Sequence, residues 1–329
     1  MIFVTGGSGF LGSHILEELI SQGKSVKALY RNRRLPSYMP PGLSEKITWV
    51  QGDILDLVGL SENMAGCEQV VHAAALVSFD PSDKKKLFKN NIEGTANLVN
   101  TAIELGITDF VHVSSVGALG NADGSEPINE EKKWLGNNGL THYSISKYYA
   151  EMEVWRGMGE GLTPLIVNPV VQLGFGDWNE TSCAMFKAAF QEFPWFMNGR
   201  NGFADVRDTA RAMVALMNSG VRNERFIINA ENRTYLEIFT WMAKGFGKKP
   251  PAKKAGALIA SLAWRIEKIK SGFSDVKPLI TQESVAIVQK QAVYDAQKML
   301  RALPDFRFRP LEDSILEVCS RYLENLKNA

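Results

Sequence analysis

Short apolar runs alternate with amphipathic stretches through the first half of the chain. Each run ends in a glycine, a small residue or a polar residue, which is typical of buried parallel strands. Helical spacing between the runs predicts helices, the first over Leu11–Gln22 and a longer one over Asn90–Gly106. The alternation predicts an α/β fold with a doubly wound parallel sheet. Strands are predicted at residues 2–4, 25–30, 46–53, 69–75, 109–115 and 165–169.

The second half follows this pattern less regularly. Asp205–Ser219 is predicted as a helix that returns to the first domain, and Arg225–Ile228 as another strand of it. A smaller, mostly helical lobe is expected beside that domain, followed by a closing amphipathic helix. The expected boundaries are residues 1–169 with 204–231 for the first domain, 170–203 and 232–310 for the lobe, and 311–329 for the closing helix.

A glycine-rich turn follows the first strand and opens the first helix, with the sequence Thr5-Gly6-Gly7-Ser8-Gly9-Phe10-Leu11-Gly12. Glycine permits positive φ and lets a pyrophosphate lie against bare backbone, while the helix N-terminus offers unpaired N–H groups. The glycines fit two registers, one beginning at Gly7 and one at Gly6, and both continue through Gly9 and Gly12. Either register predicts a dinucleotide-binding, Rossmann-type fold.

The end of the second strand bears on the choice of dinucleotide. Tyr30 stands where a carboxylate would bind the ribose of NAD, and Arg31 follows it, with Arg33 and Arg34 close behind. A guanidinium suits a 2′-phosphate, so NADP is predicted, with NAD as the alternative and a solvated loop as the other reading of these arginines. Further cofactor contacts are expected where other strands end, at Asp53, Ile54, Ala73, Ala74, Ala75, Asn168 and Pro169.

Tyr143 and Lys147 lie four residues apart on a predicted helix and therefore share one face. The lysine ammonium is expected to lower the pKa of the tyrosine from its usual value of about 10 and to orient a nicotinamide ribose. The hydroxyl of Ser115, at the end of the fifth strand, could hold a substrate oxygen while Tyr143 moves the proton. An ordinary surface pair would explain the tyrosine and lysine alone, but not the glycine turn and Ser115 with them.

Together these residues resemble the extended short-chain dehydrogenase/reductases, the NAD-dependent epimerase/dehydratase family. The resemblance implies catalysis by Tyr143 and Lys147 with Ser115, aided by Asn91, and it selects the Gly6 register. The matching positions are Thr5–Gly12, Asp53, Ala73–Ala75, Asn91, Gly94, Thr95, Asn97, Ser115, Tyr143, Lys147, Asn168 and Pro169, with looser similarity at Ala204–Asp208 and Pro310–Leu311.

Within that family, Val113–Gly120 and the strand end at Tyr30 and Arg31 resemble the dihydroflavonol-reductase branch, whose members are NADP-dependent carbonyl reductases. Val116 and Gly117 stand where sugar-nucleotide dehydratases place Asp-Glu, which disfavours a dehydratase. We therefore expect an NADP-preferring oxidoreductase that interconverts a carbonyl and an alcohol. An epimerase that uses tightly held NAD on a nucleotide sugar is the alternative. A non-catalytic nucleotide-sensing protein ranks last, because it predicts loss of the tyrosine-lysine pair.

Charge and composition limit the partners and the cellular location that we expect for the protein. The net charge of +1 gives no reason to expect nucleic acid as a partner. Cys67, Cys183 and Cys319 are widely spaced, which favours reduced thiols in a cytoplasmic protein and no metal site. The apolar run Ala255–Trp264 is too short to span a bilayer, so no membrane insertion is expected. The family resemblance also suggests a homodimer through the helices near Ala96 and Tyr148.

Several features allow two interpretations. Phe186, Phe190, Phe193 and Trp195 could line an apolar substrate pocket or belong to the core. The four lysines of Lys248–Lys254 could attract an anionic substrate, although a solvated loop is the simpler interpretation. His72, inside an apolar strand, is expected to be a structural core residue.

Overall fold

A computed structural model describes residues 1–32, 35–121, 126–255 and 282–328. Arg33 and Arg34 therefore lie outside the described residues, as does most of the apolar run that begins at Ala255.

Seven of the described strands form one parallel sheet in the order β10-β6-β5-β4-β1-β2-β3. Strand order reverses between β1 and β4, and ligands of such sheets bind outside the carboxyl ends of the strands at that point. The predicted doubly wound sheet is confirmed. The strands are Ile2–Thr5 (β1), Val26–Tyr30 (β2), Thr48–Gln51 (β3), Gln69–His72 (β4), Asp109–Val113 (β5), Thr163–Pro169 (β6), Val171–Leu173 (β7), Trp195–Phe196 (β8), Arg200–Asp205 (β9), Glu224–Ile228 (β10), Glu231–Thr234 (β11) and Lys253–Lys254 (β12).

Helices cover both faces of the sheet because each presents an apolar stripe to it. Ile15 and Met213 are buried on one face, and Leu98 and Val154 on the other. The helices are Phe10–Ser21 (α1), Leu57–Met64 (α2), Lys84–Phe88 (α3), Gly94–Glu104 (α4), His142–Gly159 (α5), Ala184–Phe190 (α6), Val206–Asn218 (α7), Tyr235–Phe246 (α8), Gln282–Gln289 (α9), Gln297–Ala302 (α10) and Leu311–Asn328 (α11), and a π-helix spans Lys89–Glu93.

Much of the carboxyl-terminal half of the chain forms a smaller lobe beside the parallel sheet. It contains a three-stranded sheet, β11-β9-β7, and a short parallel pair of β8 with β12. The sequence predicted the helices of this lobe but none of these strand pairings. Polar strands such as Glu231–Thr234 contain no apolar run, and they form because they pair with a neighbouring strand. The core of this lobe includes Phe186 and Phe190, which are packing residues, whereas Phe193 is exposed.

Residues 297–308 pack on the core of the first domain through Met299 and Phe306. The expected domain boundaries remain a prediction. The three cysteines are free and buried. Among the described residues, no group of side chains is arranged to hold a metal ion. No helix in the described part of the chain is both long and apolar enough to cross a membrane.

Candidate functional site

The glycine turn lies at the switch point of the sheet and makes close backbone contacts. Gly6 has a φ of +75°, and a Cβ there would lie 2.4 Å from the carbonyl carbon of Ala73. A Cβ at Gly12 would lie 2.0 Å from the Gly6 oxygen. A Cβ at Gly7 would instead meet the flexible side chain of Leu16. The backbone therefore requires glycine at positions 6 and 12, which agrees with the Gly6 register.

The N-terminus of α1 can accept an anion. Gly9 occupies the N-cap and has no side chain to cap the helix, and the first turn contains no acidic residue. The first backbone N–H groups of a helix have no partner within it, so those of Phe10, Leu11 and Gly12 can donate to a phosphate. These three N–H groups are therefore available to an anion at the end of the helix.

Buried hydrogen bonds of Thr5 and His72 join the strands next to the glycine turn. The Thr5 hydroxyl hydrogen-bonds His72 Nδ1 at 2.7 Å and accepts from the Ala74 N–H at 3.4 Å. His72 Nε2 lies 2.9 Å from the Thr95 hydroxyl. Burial lowers the pKa of His72 to about 3, so the ring is neutral and ties β1 and β4 to α4. His72 is a structural residue, as expected.

Arg31 and Asp53 lie together at the carboxyl ends of β2 and β3. The Arg31 guanidinium is 3.8 Å from the Asp53 carboxylate, and their side chains are 64% and 37% exposed. Asp53 also accepts from the Leu55 N–H at 3.0 Å, and Ile54 packs against Gly94. A weak, exposed ion pair leaves the guanidinium free to bind another anion.

Ser115, Tyr143 and Lys147 meet at the carboxyl end of β5. The Ser115 side chain lies close enough to Tyr143 to lower the pKa of the phenol. Lys147 is 2% exposed, and its Nζ donates to the Val113 carbonyl at 2.7 Å. Burial lowers the pKa of Lys147 to about 8, and the carboxylate of Glu151 opposes that shift. The edge of the Phe79 ring packs on Tyr143, with the ring centroids 5.8 Å apart.

The predicted lowering of the Tyr143 pKa is wrong for this structure. Burial raises the pKa of Tyr143, and the nearby Ser115 hydroxyl opposes the rise only in part. The Lys147 ammonium makes its hydrogen bond to the Val113 carbonyl instead of the phenol. The tyrosine is therefore held as a proton donor.

Asn91 lies beneath this group in the π-helix, an irregularity often found at functional sites. Its Oδ1 accepts from the Leu76 N–H at 2.7 Å. Its Nδ2 donates to the Leu76 carbonyl at 3.0 Å and to the Ser146 hydroxyl at 2.9 Å. Asn91 therefore joins the segment after β4, which includes Ala73–Ala75, to the helix that carries Tyr143.

Asn168 and Pro169 end β6 on the buried side of the site. The Asn168 Nδ2 donates to the Ser115 carbonyl at 3.0 Å and to the Glu151 carboxylate at 2.9 Å. Sequence reasoning did not identify Glu151. Its position four residues after Lys147 was the available signal, since residues at that spacing share a helix face.

Comparison with known proteins shows which family the chain resembles over most of its length. The model of the NAD dependent epimerase/dehydratase family matches residues 2–229. A Synechocystis protein provisionally named dihydroflavonol 4-reductase is 29% identical over 92% of this chain and 88% of its own length. The crystal structure of gox2253 superposes with a TM-score of 0.83 and 26% identity, covering 99% of this chain and 98% of that one.

A UDP-glucose 4-epimerase from Thermotoga maritima, solved with UDP-glucose, has a TM-score of 0.78 and 20% identity, and the match covers 99% of each chain. At that identity the likeness shows a shared fold.

Proposed function

The chain belongs to the NAD dependent epimerase/dehydratase family and is an NAD(P)-dependent enzyme; from this premise we propose that it is an NADP-preferring carbonyl reductase. The observation that carries the proposal is the convergence of Ser115, Tyr143 and buried Lys147 at the same sheet edge as the Gly6 turn. The similarity to the Synechocystis protein over nearly the whole chain supports the reductase activity.

The cofactor would lie over the switch point of the sheet. The α1 N-terminus would bind the pyrophosphate, Arg31 the 2′-phosphate, and Asp53 and Ile54 the adenosine half. Lys147 and the β6 exit at Asn168 and Pro169 would hold the nicotinamide ribose end. The remaining contacts would come from the backbone of the turn and of the segment after β4, at Thr5, Gly6, Gly9, Ala73, Ala74 and Ala75.

Each side chain has a distinct part in reduction. A bound nicotinamide cofactor would supply the hydride for the carbonyl carbon. Ser115 donates a hydrogen bond to the carbonyl oxygen and orients it. Tyr143 gives its phenolic proton to that oxygen as the alcohol forms, and the Lys147 ammonium stabilises the phenolate left behind. The raised pKa of Tyr143 keeps this proton in place before reaction.

The second candidate is a nucleotide-sugar epimerase, favoured by the fold shared with the Thermotoga maritima enzyme. One sequence feature argues against the epimerase, and another argues against dehydration. Tyr30 offers no carboxylate to the NAD ribose, and Val116 and Gly117 supply no second acid-base pair after Ser115.

Product analysis separates the two candidates. Purified protein is incubated with NADPH and a panel of a dihydroflavonol, aromatic aldehydes and cyclic ketones, and in parallel with UDP-glucose. A reductase consumes one NADPH for each alcohol formed. Epimerised sugar without net cofactor consumption, together with NAD that copurifies with the protein, would instead establish the epimerase.

Calorimetric titration tests the cofactor preference. We expect NADPH to bind more tightly than NADH and Arg31→Ala to weaken NADPH alone, because a charge-assisted bond to a phosphate contributes about 1.5–3 kcal/mol, or roughly tenfold to a hundredfold in affinity. Lys24→Ala is the control, because Lys24 is exposed and precedes β2, at the opposite end of that strand from Arg31. Equal binding of both cofactors by wild type and Arg31→Ala would contradict the preference.

A further inference from the structure

A buried carboxylate lies directly behind the catalytic group. Glu151 is fully buried, and its Oε2 accepts from the Ser114 hydroxyl at 2.6 Å and from Asn168 Nδ2 at 2.9 Å. Its Oε1 accepts from the Arg225 guanidinium at 2.9 Å and from the Trp155 indole at 3.3 Å. Four donors, on α5, β6, β10 and the residue that follows β5, therefore converge on one side chain.

Burying a charge at this depth is costly, and an ion pair seldom repays the cost in stability. Arg225, the partner of Glu151, is 19% exposed and also donates to the Glu130 carbonyl. A methionine or leucine pair of similar volume would fill the same space without a charge. The position of the carboxylate relative to Ser115 and Lys147 gives a reason for the charge.

Two of the four donors control Ser115. Ser114 precedes it in the chain, and the Ser114 N–H donates to the Val167 carbonyl at 2.8 Å. Asn168 uses the same amide nitrogen to hold Glu151 and the Ser115 carbonyl. The backbone on either side of the Ser115 hydroxyl is therefore fixed through one carboxylate.

The carboxylate also acts on Lys147, one helical turn away. His72 on β4 and His112 on β5 face the same ammonium, and burial lowers the pKa of each, so both are neutral. Tyr143, on the same helix, keeps its proton. Among the described residues acting on Lys147, Glu151 thus supplies the negative charge, and Arg225 on β10 faces that charge from the far side.

We propose that Glu151 is a positioning residue of the site: it fixes the backbone that carries Ser115 and keeps Lys147 charged. The assignment rests on the proposed function, since it concerns the group that would transfer the proton. Glu151 acts through Ser115 and Lys147 and touches neither substrate nor cofactor.

Glu151→Gln tests the electrostatic part, because it keeps the side-chain shape and removes the charge. Without that charge, burial lowers the pKa of Lys147 further, by about one unit. The alkaline limb of kcat/KM for carbonyl reduction then moves to lower pH by the same amount. Glu153→Gln removes an equal charge from the same helix, where Glu153 pairs with Arg156 at 2.8 Å, and leaves the limb unchanged.

Lys147 is also titrated directly by following its 13Cε resonance in lysine-labelled protein, assigned by its loss in Lys147→Met. This readout needs neither substrate nor cofactor. If wild type reduces no carbonyl, the proposed function fails while the NMR titration still decides the role of Glu151. An unchanged Lys147 titration in folded Glu151→Gln would overturn the electrostatic role.

Two further variants keep the proposal falsifiable if Glu151→Gln does not fold. Arg225→Gln removes the opposing charge, so the Lys147 titration moves to higher pH, the opposite direction. Ser114→Ala keeps the charge and removes one bond to the carboxylate, so kcat falls while the alkaline limb stays in place. An unchanged Lys147 titration in Arg225→Gln would overturn the electrostatic role of Glu151. Full kcat in Ser114→Ala would overturn its role in fixing the Ser115 backbone.

Discussion

At the scale of single residues, contacts with neighbouring backbone determine what the cofactor turn requires. The sequence leaves two glycine registers open because Gly6 and Gly7 each stand at a suitable spacing before Gly9 and Gly12. Only the fold shows that Gly6 lies against Ala73 and that Gly12 lies against Gly6. The role of Glu151 could not be predicted from the sequence either, because a carboxylate on a helix is usually solvated. The raised pKa of Tyr143 likewise depends on burial that spacing along a helix does not reveal.

Gly6→Ala should abolish tight cofactor binding and destabilise the protein. Gly23→Ala is the matched control, because Gly23 also has positive φ, at +71°, but has open space where a Cβ would lie. Left-handed backbone costs the control about 1–2 kcal/mol of unfolding free energy. Gly6→Ala adds the clash with Ala73, so it should lose more unfolding free energy than the control. It should also lose affinity for NADPH. Urea denaturation and calorimetry measure both, and equal losses in the two variants would contradict the contact.

At the scale of elements, apolar runs were sufficient to predict the parallel strands but not the polar strands of the lobe. Buried parallel strands are apolar on both faces, so β1, β5 and β6 stand out in the sequence. The strands β9 and β11 pair with each other across residues 200–205 and 231–234, and no local pattern encodes such a pairing. The π-helix at Lys89–Glu93 also depends on tertiary contacts, made by Asn91 with Leu76 and Ser146.

Asn91→Ala should loosen the segment that follows β4. The Leu76 N–H loses its 2.7 Å bond to Asn91 and should exchange with solvent at least about tenfold faster, since a lost bond of about 1.4 kcal/mol corresponds to that factor. Asn90→Ala is the control, because the neighbouring Asn90 side chain donates to the Lys86 carbonyl of the preceding helix and not to Leu76. Hydrogen exchange by mass spectrometry measures the rate. Equal protection in both variants would show that Asn91 does not hold this segment.

At the scale of the whole molecule, two buried neutral histidines link folding to pH. His72 and His112 have pKa values lowered from 6.5 by burial, that of His72 to about 3. Below pH 6.5 the unfolded chain binds these protons and the folded protein does not, so stability falls as pH falls. Each histidine contributes a slope of about 1.4 kcal/mol per pH unit. The expected homodimer through α4 and α5 remains a prediction at this scale.

His112→Leu should halve the loss of stability between pH 6.5 and 5. Neither ring nitrogen of His112 has a hydrogen-bond partner among the described residues, so an apolar side chain of similar size costs little at pH 7.5. Val111→Ala, at a buried apolar residue of the same strand, is the control: it lowers stability at every pH and should keep the wild-type slope. Urea denaturation at each pH measures the slope. An identical slope in wild type and His112→Leu would mean that His112 does not resist protonation.

Tyr143→Phe tests the proposed chemistry most directly, because it removes the phenolic oxygen and retains a ring that can pack against Phe79. NADPH affinity is measured by calorimetry, and the rate of alcohol formation is measured with the carbonyl that wild type reduces fastest. We expect near wild-type NADPH affinity and a rate lower by about 10²–10⁴, the usual contribution of general acid catalysis. Alcohol formation at the wild-type rate in Tyr143→Phe would contradict proton transfer by Tyr143 and, with it, the function proposed for this site.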